Sequence, residues 1–568
     1  MDRRNFFKIV STVSAGVATT SCGNKSDALI PLLVPDREIV PGVEQWHPSV
    51  CTGCGAGCGV IVRVMEGQRV IERHGQKFRE QIACVKKIEG NPLDPVSGGR
   101  LCARGQAALQ SLYNPDRVRG PMRRTAARGK AGFGEISWDE AIASVAEKLA
   151  KAHASDPKKI LFLTGRQVSV RTQNIQRFLE ALGAPPPLTC SAAGLDVERR
   201  AADLVFGWKG LPRYDLGGAR YALGVGVDFL GGWASPVYYA RQFGHFRQGR
   251  PGVRGRFVQA ESRMSLTAAN ADEWLPLRPG SEPQLLIAIA RLLLDEKLAR
   301  NSEDLPPSVH ETILTANLAD LIRTSGIEEK RLRRVAHELG ESEAPLVIAG
   351  ASILQTNSLQ ALIAAQYLNL MLGNVGKPGG MFPPNPLPAD APQIANIPEA
   401  SKRAEILLLD GENPVYALPS ASAIPQALTN IETIVSFGSF IDDTAAYADL
   451  ILPDHHALES AAAVVPAVSP KRSIAVSQQF VKPLYNTRAI EQTLSEIAHK
   501  MNVAFEPVTP EAFVTPFLPP GQSWDDVVRQ GGLWLDTEPK PAGSEPGWTF
   551  YNPSGNLYPH SNVLVPKP

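Results

Sequence analysis

The chain lacks three things: a long hydrophobic run, an excess of charge of either sign, and a cysteine content that could staple it together. No apolar stretch reaches the ~18 residues that a membrane-spanning helix needs, so any membrane contact is expected through a lipid or a partner protein. Lys and Arg number 58 against 57 Asp and Glu, a net charge of +1. That balance supplies no concentrated basic field, so no nucleic-acid partner is expected. Only 7 cysteines occur in 568 residues, and four of them cluster, which fits metal ligation better than a disulfide framework. What remains is the composition of a globular protein, with 43% hydrophobic and 20% charged residues. The length suits roughly three or four domains.

The first 22 residues read as an address. Asp2-Arg3-Arg4-Asn5-Phe6-Phe7-Lys8 forms a twin-arginine pattern, followed by a mildly apolar stretch to Ser21. The alternative is an ordinary basic N-terminus. Export of a folded chain to the periplasmic side of the membrane would allow a metal cluster to be inserted first. Thr19-Thr20-Ser21-Cys22 also has the small residues that precede a lipidated cysteine; one lipid chain alone binds membranes weakly, so partners would have to help. Residues 23–45 read as a linker.

The strongest signal is Cys51-x2-Cys54-x3-Cys58, joined by Cys102 after a further 43 residues. Four thiolates are what a 4Fe-4S cube needs, one per iron, and the glycines at 53, 55, 57 and 59 let the backbone wrap closely. A four-cysteine zinc site is the competing reading, but such sites usually present two separated CxxC pairs. Cys84 competes with Cys102 for the fourth position.

The run Ile88-Glu89-Gly90-Asn91-Pro92-Leu93-Asp94-Pro95, followed by Gly99-Arg100-Leu101-Cys102-Ala103-Arg104-Gly105, resembles the entry segment of the molybdopterin oxidoreductases. In that family the fourth cluster cysteine sits in such a run, which favours Cys102 and marks residues 71 to 84 as an insertion. The resemblance implies that Arg104 lies between the cluster and a pterin; its other reading is a surface arginine. Leu112 to Arg117 and Ile136 to Ala141 are similar to the family's passage into its large domains. So are the loops Ala271–Gly280, Leu372–Gly380 and Ala448–Pro453.

Downstream, short apolar strands alternate with helical stretches, and an amphipathic helix is expected from Trp138 through Ala150. Strands are expected at Ile160–Thr164, Arg220–Val225, Gly255–Gln259, Pro345–Ala349, Glu405–Leu409 and Thr433–Phe437, so the fold class is α/β with doubly wound parallel sheets. Ligands in such folds sit at the carboxyl ends of strands. Gly226, Asp228 and Asn413 are therefore candidate cofactor-binding residues, and the resemblance adds Asn374, in the loop Leu372–Gly380, to them as it does Arg104. The expected organisation is a 4Fe-4S domain over 46–124, α/β domains over 125–502 and a proline-rich tail over 503–568.

By resemblance, a molybdenum or tungsten centre would be held by two molybdopterin guanine dinucleotides, with Cys190 as the candidate catalytic ligand; a small buried hydrophobe is the other reading of Cys190. Two features depart from active relatives. Gly226-Val227-Asp228 replaces their Gly-x-Asn-type turn and, with Pro483 to Arg488, resembles the molybdopterin-like subunits of alternative complex III and related quinone-linked complexes. After Asn502 only 66 residues remain, 12 of them proline, whereas a pterin-covering β-barrel needs roughly 80 to 100.

The resulting expectation is an electron-transfer and scaffold subunit with a reduced or absent pterin site. Its partners would be a ferredoxin-like multi-cluster subunit and a quinone-interacting membrane subunit. The alternative is an active molybdenum or tungsten oxidoreductase acting on an oxyanion, a sulfur compound or formate. His455, His456 and Glu459 read as loop residues rather than acid–base groups.

Overall fold

The computed structural model describes residues 40–73, 76–130, 132–165, 168–189, 195–248, 254–350, 358–384, 393–394, 397–418 and 420–536. Residues 1–39, and with them the export signal and Cys22, lie outside this set, as do Cys190 and the last part of the tail.

Three antiparallel strands open the described chain: β1 (Val40–Val50), β2 (Gly59–Arg73) and β3 (Gln76–Gly90). The segment 71–84 forms the outer part of the β2–β3 hairpin, where Ile71 pairs with Phe78 and Met65 with Cys84. β1 already begins inside the stretch 23–45. A short hairpin, β4 (Met122–Arg124) and β5 (Phe133–Glu135), precedes the helix Trp138–Ser155. Ser137 caps that helix by accepting from the Glu140 amide, and Trp138, Ala141, Ile142, Val145, Ala146, Leu149 and Ala152 bury one continuous stripe. The stripe carries the helix five residues beyond the expected Ala150.

The parallel strands follow as β6 (Ile160–Thr164) and β7 (Leu188–Thr189), and then, after β8 (Arg213–Tyr214), as β9 (Tyr221–Val225), β10 (Arg256–Glu261), β11 (Glu273–Pro276) and β12 (Pro345–Ala349). β13 (Met381–Phe382) pairs back onto β8, and β14 (Gln393–Ile394), β15 (Ile406–Asp410), β16 (Thr433–Ser436) and β17 (Leu450–Ile451) complete the parallel set. All six expected strands form, with ends displaced by two residues at most. Every residue of β6, β9, β12 and β15 is buried, as expected of parallel strands covered by helices on both faces.

The strands build two sheets. One has the order β11-β10-β9-β12, the other β14-β7-β6-β15-β16-β17-β4-β5. Among the parallel strands of each, chain order reverses at one place, between β9 and β12 in the first and between β6 and β15 in the second. Among the described residues no barrel closes, and no helix is long and apolar enough to cross a membrane.

The last strands, β18 (Ala462–Val464), β19 (Arg472–Ser477) and β20 (Gly532–Leu535), make a three-stranded antiparallel sheet. The proline-rich tail thus carries helices and a strand as far as Asp536. Helices Pro510–Val514 and Trp524–Gln530 precede β20, and Phe513, Val514, Val527 and Leu533 pack on Ile474 and Val476. Pro510 stands at a helix start, where proline stabilises rather than breaks.

Candidate metal centre

The loop between β1 and β2 carries three of the four candidate thiols. Its neck is closed by the Cys51 amide donating to the Cys58 carbonyl at 2.9 Å. Gly57 takes φ +60°, and a Cβ there would stand 3.1 Å from Pro466 Cα. The Ala467 amide donates to the Gly55 carbonyl at 3.0 Å. A segment some 400 residues downstream therefore moulds the loop, and only glycine fits against it.

Asp94 locks the other side. Its Oδ2 accepts from the amides of Gly59 at 3.0 Å and Ser97 at 2.6 Å. A Cβ on Gly59 would meet Asp94 Cβ at 2.7 Å, so this glycine too is required by close approach. Asn91 fixes the same turn, its Oδ1 accepting from the Leu93 amide and its Nδ2 donating to the Gln530 carbonyl. These anchors were overlooked in the sequence; the Asn-Pro-Leu-Asp-Pro run is the turn signal that could have found them.

Cys102 stands at the start of the helix Ala103–Leu112, with its carbonyl accepting from the Gln106 amide. The positive end of that helix faces a thiolate favourably. The four sulfurs share one neighbourhood. Burial pushes the Cys58 thiol well above its ordinary value, and the charges of Cys51, Asp94, Cys54 and Cys102 push the same way. Burial likewise raises Cys51, which lies within electrostatic reach of Cys54, Cys102 and Arg104. Cys84 instead stands beside the Tyr113 hydroxyl, and it is not among the charges acting on either Cys51 or Cys58.

No three His, Cys, Asp or Glu side chains among the described residues converge on a single ion. Four thiols close enough to feel one another suit a cube bound at its corners, one thiolate per iron. Buried thiols of raised pKa become thiolates when cationic iron is present to balance them. The residues thus fit a 4Fe-4S cluster.

Comparison with known proteins agrees with this geometry. Residues 44–114 match the molybdopterin oxidoreductase Fe4S4 domain, and residues 117–500 match the molybdopterin oxidoreductase model. The chain belongs to the molybdopterin oxidoreductases. It is 25% identical over 524 residues to the menaquinone reductase molybdopterin-binding-like subunit of Nitratidesulfovibrio vulgaris, covering 89% of this chain and 72% of that one. It is 23% identical to the arsenate respiratory reductase molybdopterin-containing subunit of Shewanella sp., covering 80% of this chain and 60% of the relative. Acetylene hydratase from Pelobacter acetylenicus shares the fold, with a TM-score of 0.70 at 17% identity over 87% of this chain and 74% of that one.

A molybdopterin oxidoreductase would hold its pterin at the strand ends, and the candidate residues there are already engaged. Gly226 follows β9 with φ +61° and donates to the Ala260 carbonyl at 2.9 Å. Asp228 Oδ1 accepts from Thr267 Oγ1 at 2.7 Å and from the Gly231 amide at 3.2 Å, bracing its own loop. Asn413 Oδ1 accepts from Thr444 Oγ1 at 2.7 Å. Asn374 Nδ2 donates to the Pro345 carbonyl at 2.6 Å and to Asn369 Oδ1 at 2.8 Å, leaving its buried Oδ1 without a hydrogen-bond partner. Arg104 is exposed and lies within electrostatic reach of Cys51. A cavity of about 590 Å³ between helices Trp138–Ser155 and Ile490–Lys500, lined by Ile142, Glu496, His499 and Phe505 among others, includes none of these residues in its lining.

His455, His456 and Glu459 have structural partners. His455 Nδ1 bonds Thr487 Oγ1 at 2.6 Å, and His456 Nε2 bonds Ser111 Oγ at 2.8 Å. Glu459 is fully buried against Arg117. Nothing in sequence spacing announces that pair, because its members are 342 positions apart.

Proposed function

We infer that this chain is the cluster-bearing electron-transfer and scaffold subunit of a quinone-linked respiratory complex. The observation that carries the reading is the gathering of Cys102 with Cys51, Cys54 and Cys58, the last three in a loop whose Thr52 and Gly53 are exposed. A bound 4Fe-4S cluster supplies one-electron transfer there. The chain's own residues hold it: four thiolates grip, Asp94 and Gly59 fix the loop, and the helix from Ala103 presents its positive end.

One cluster and no membrane-spanning helix among the described residues cannot by themselves join a quinone to a distant acceptor. Partners are therefore proposed, a ferredoxin-like multi-cluster subunit and a quinone-interacting membrane subunit, and the similarity to a menaquinone reductase subunit supports that choice. The twin-arginine pattern supports export to the periplasmic face, with Cys22 as a lipid anchor.

The test is composition. Protein purified anaerobically from membranes should carry about four irons per chain, an electron paramagnetic resonance signal on reduction, and no stoichiometric molybdenum or tungsten. One molybdenum or tungsten per chain with turnover of an oxyanion would replace this reading by the catalytic one, which relatives named as arsenate and thiosulfate reductases keep in view.

A further inference from the structure

Where chain order reverses in a parallel sheet, the crossover connections diverge and open a crevice at the strands' carboxyl ends. In the four-stranded sheet this place is bounded by Gly226 and Gly350, which follow β9 and β12. In the eight-stranded sheet it lies between β6 and β15, where Thr164 is in register with Asp410.

The second of these is filled from within. Thr164 Oγ1 donates to Asp410 Oδ2 at 2.9 Å. Arg171, in the first turn of the helix Val170–Ala181, donates to Asp410 Oδ1 at 2.9 Å. The same guanidinium donates to Asp454, and its Nε lies 3.9 Å from Glu491. These carboxylates come from the end of β15, the loop after β17 and the first turn of helix Ile490–Lys500. Asp454 Oδ1 also accepts from the Ile490 amide at 2.9 Å. Asp410 and Asp454 keep only 10% and 8% of their side-chain exposure.

A cation in a helix's first turn opposes the helix dipole, so Arg171 is held there by the carboxylates and not by helix electrostatics. A pyrophosphate needs the reverse, free amides at a helix start with cations beside them. Here a capping box already engages two of those amides, Ser169 donating to Thr172 Oγ1 and Thr172 to Ser169 Oγ. Among the described residues three carboxylates thus face one guanidinium, and an entering anion would meet their excess negative charge.

We propose that the Arg171–Asp410–Asp454–Glu491 network closes the crevice of the eight-stranded sheet to a pterin dinucleotide, so that the chain holds at most one such group. The proposal rests on the family assignment and stands whether or not the crevice of the four-stranded sheet is filled.

The deciding measurement is the number of guanine nucleotides released by acid hydrolysis from full-length protein purified from membranes, with cluster iron confirming its integrity. None or one per chain supports the proposal, and two overturn it. A count of one with molybdenum would remove the scaffold reading and leave this one standing. A second arm uses Arg171→Met. Loss of the guanidinium leaves the three carboxylates facing one another, so the melting temperature should fall at pH 8 and fall less at pH 5, where carboxyl protonation relieves the repulsion. A variant as stable as the parent at pH 8 overturns the network regardless of the nucleotide count.

Discussion

Glu459→Gln removes one charge from a pair that has no contact with solvent. Arg117 Nη2 donates to Glu459 Oε2 at 2.7 Å and Nη1 to Oε1 at 3.1 Å, while Nη1 also donates to the Leu112 carbonyl at 2.9 Å. The carboxylate further accepts from the amides of His456 and Leu484, both at 2.9 Å. It thereby joins the end of the helix that starts beside Cys102 to two segments near the C-terminus. Glutamine keeps one acceptor oxygen but leaves the guanidinium uncompensated. Removing one partner of a buried pair costs about 3–5 kcal/mol. The orphaned amides overlap with that figure rather than adding to it. A urea titration at pH 8, followed through cluster absorbance, should show the variant losing its cluster at lower urea by that margin. Burial opposes ionisation of Glu459, but the Arg117 guanidinium and the two amides outweigh it and hold its carboxyl below the usual range. Its stabilisation is therefore complete above the ordinary carboxyl value and is lost as pH falls through the lower folded one. The gap between parent and variant should be flat from pH 8 to about 5 and shrink in stronger acid. A variant within about 0.5 kcal/mol of the parent at pH 8, or a gap that widens in acid, would refute the reasoning.

Three further outcomes are expected. Cys102→Ser should cost the protein its cluster iron and visible absorbance, whereas Cys84→Ser should keep both; the reverse result would exchange the fourth ligand. Gly57→Ala forces a Cβ onto a residue at φ +60° and against Pro466, so it should destabilise the loop by about 1–2 kcal/mol, read as faster cluster loss in urea. Burial, aided by the Arg117 charge, lowers His456 to about 4, so the imidazole stays neutral in the folded chain while the unfolded chain takes up a proton near its ordinary value. Stability should then fall by roughly 1–3 kcal/mol as pH drops from 6.5 to 4, and His456→Gln should flatten that slope in equilibrium denaturation.

The sequence by itself determined those features whose causes are local. Five-residue apolar runs such as Ile160–Thr164 and Pro345–Ala349 form central strands because both their faces are covered. The Ser137 cap and the 3.6-residue stripe behind it set a helix start, and the bunched cysteines with their glycines announced a cluster loop. Tertiary structure alone decided what depends on distant partners. The β2–β3 hairpin sets Cys84 beside Tyr113, whereas Cys102 lies within electrostatic reach of Cys51 and Cys58. The shape of that loop comes from Pro466 and Ala467, and the filling of one crevice from Arg171 meeting Asp410 and Asp454, 239 and 283 positions away. A backbone's periodic preferences are written in neighbouring residues, but the pairing of buried charges and the close approach of glycines depend on contacts that exist only once the chain has folded.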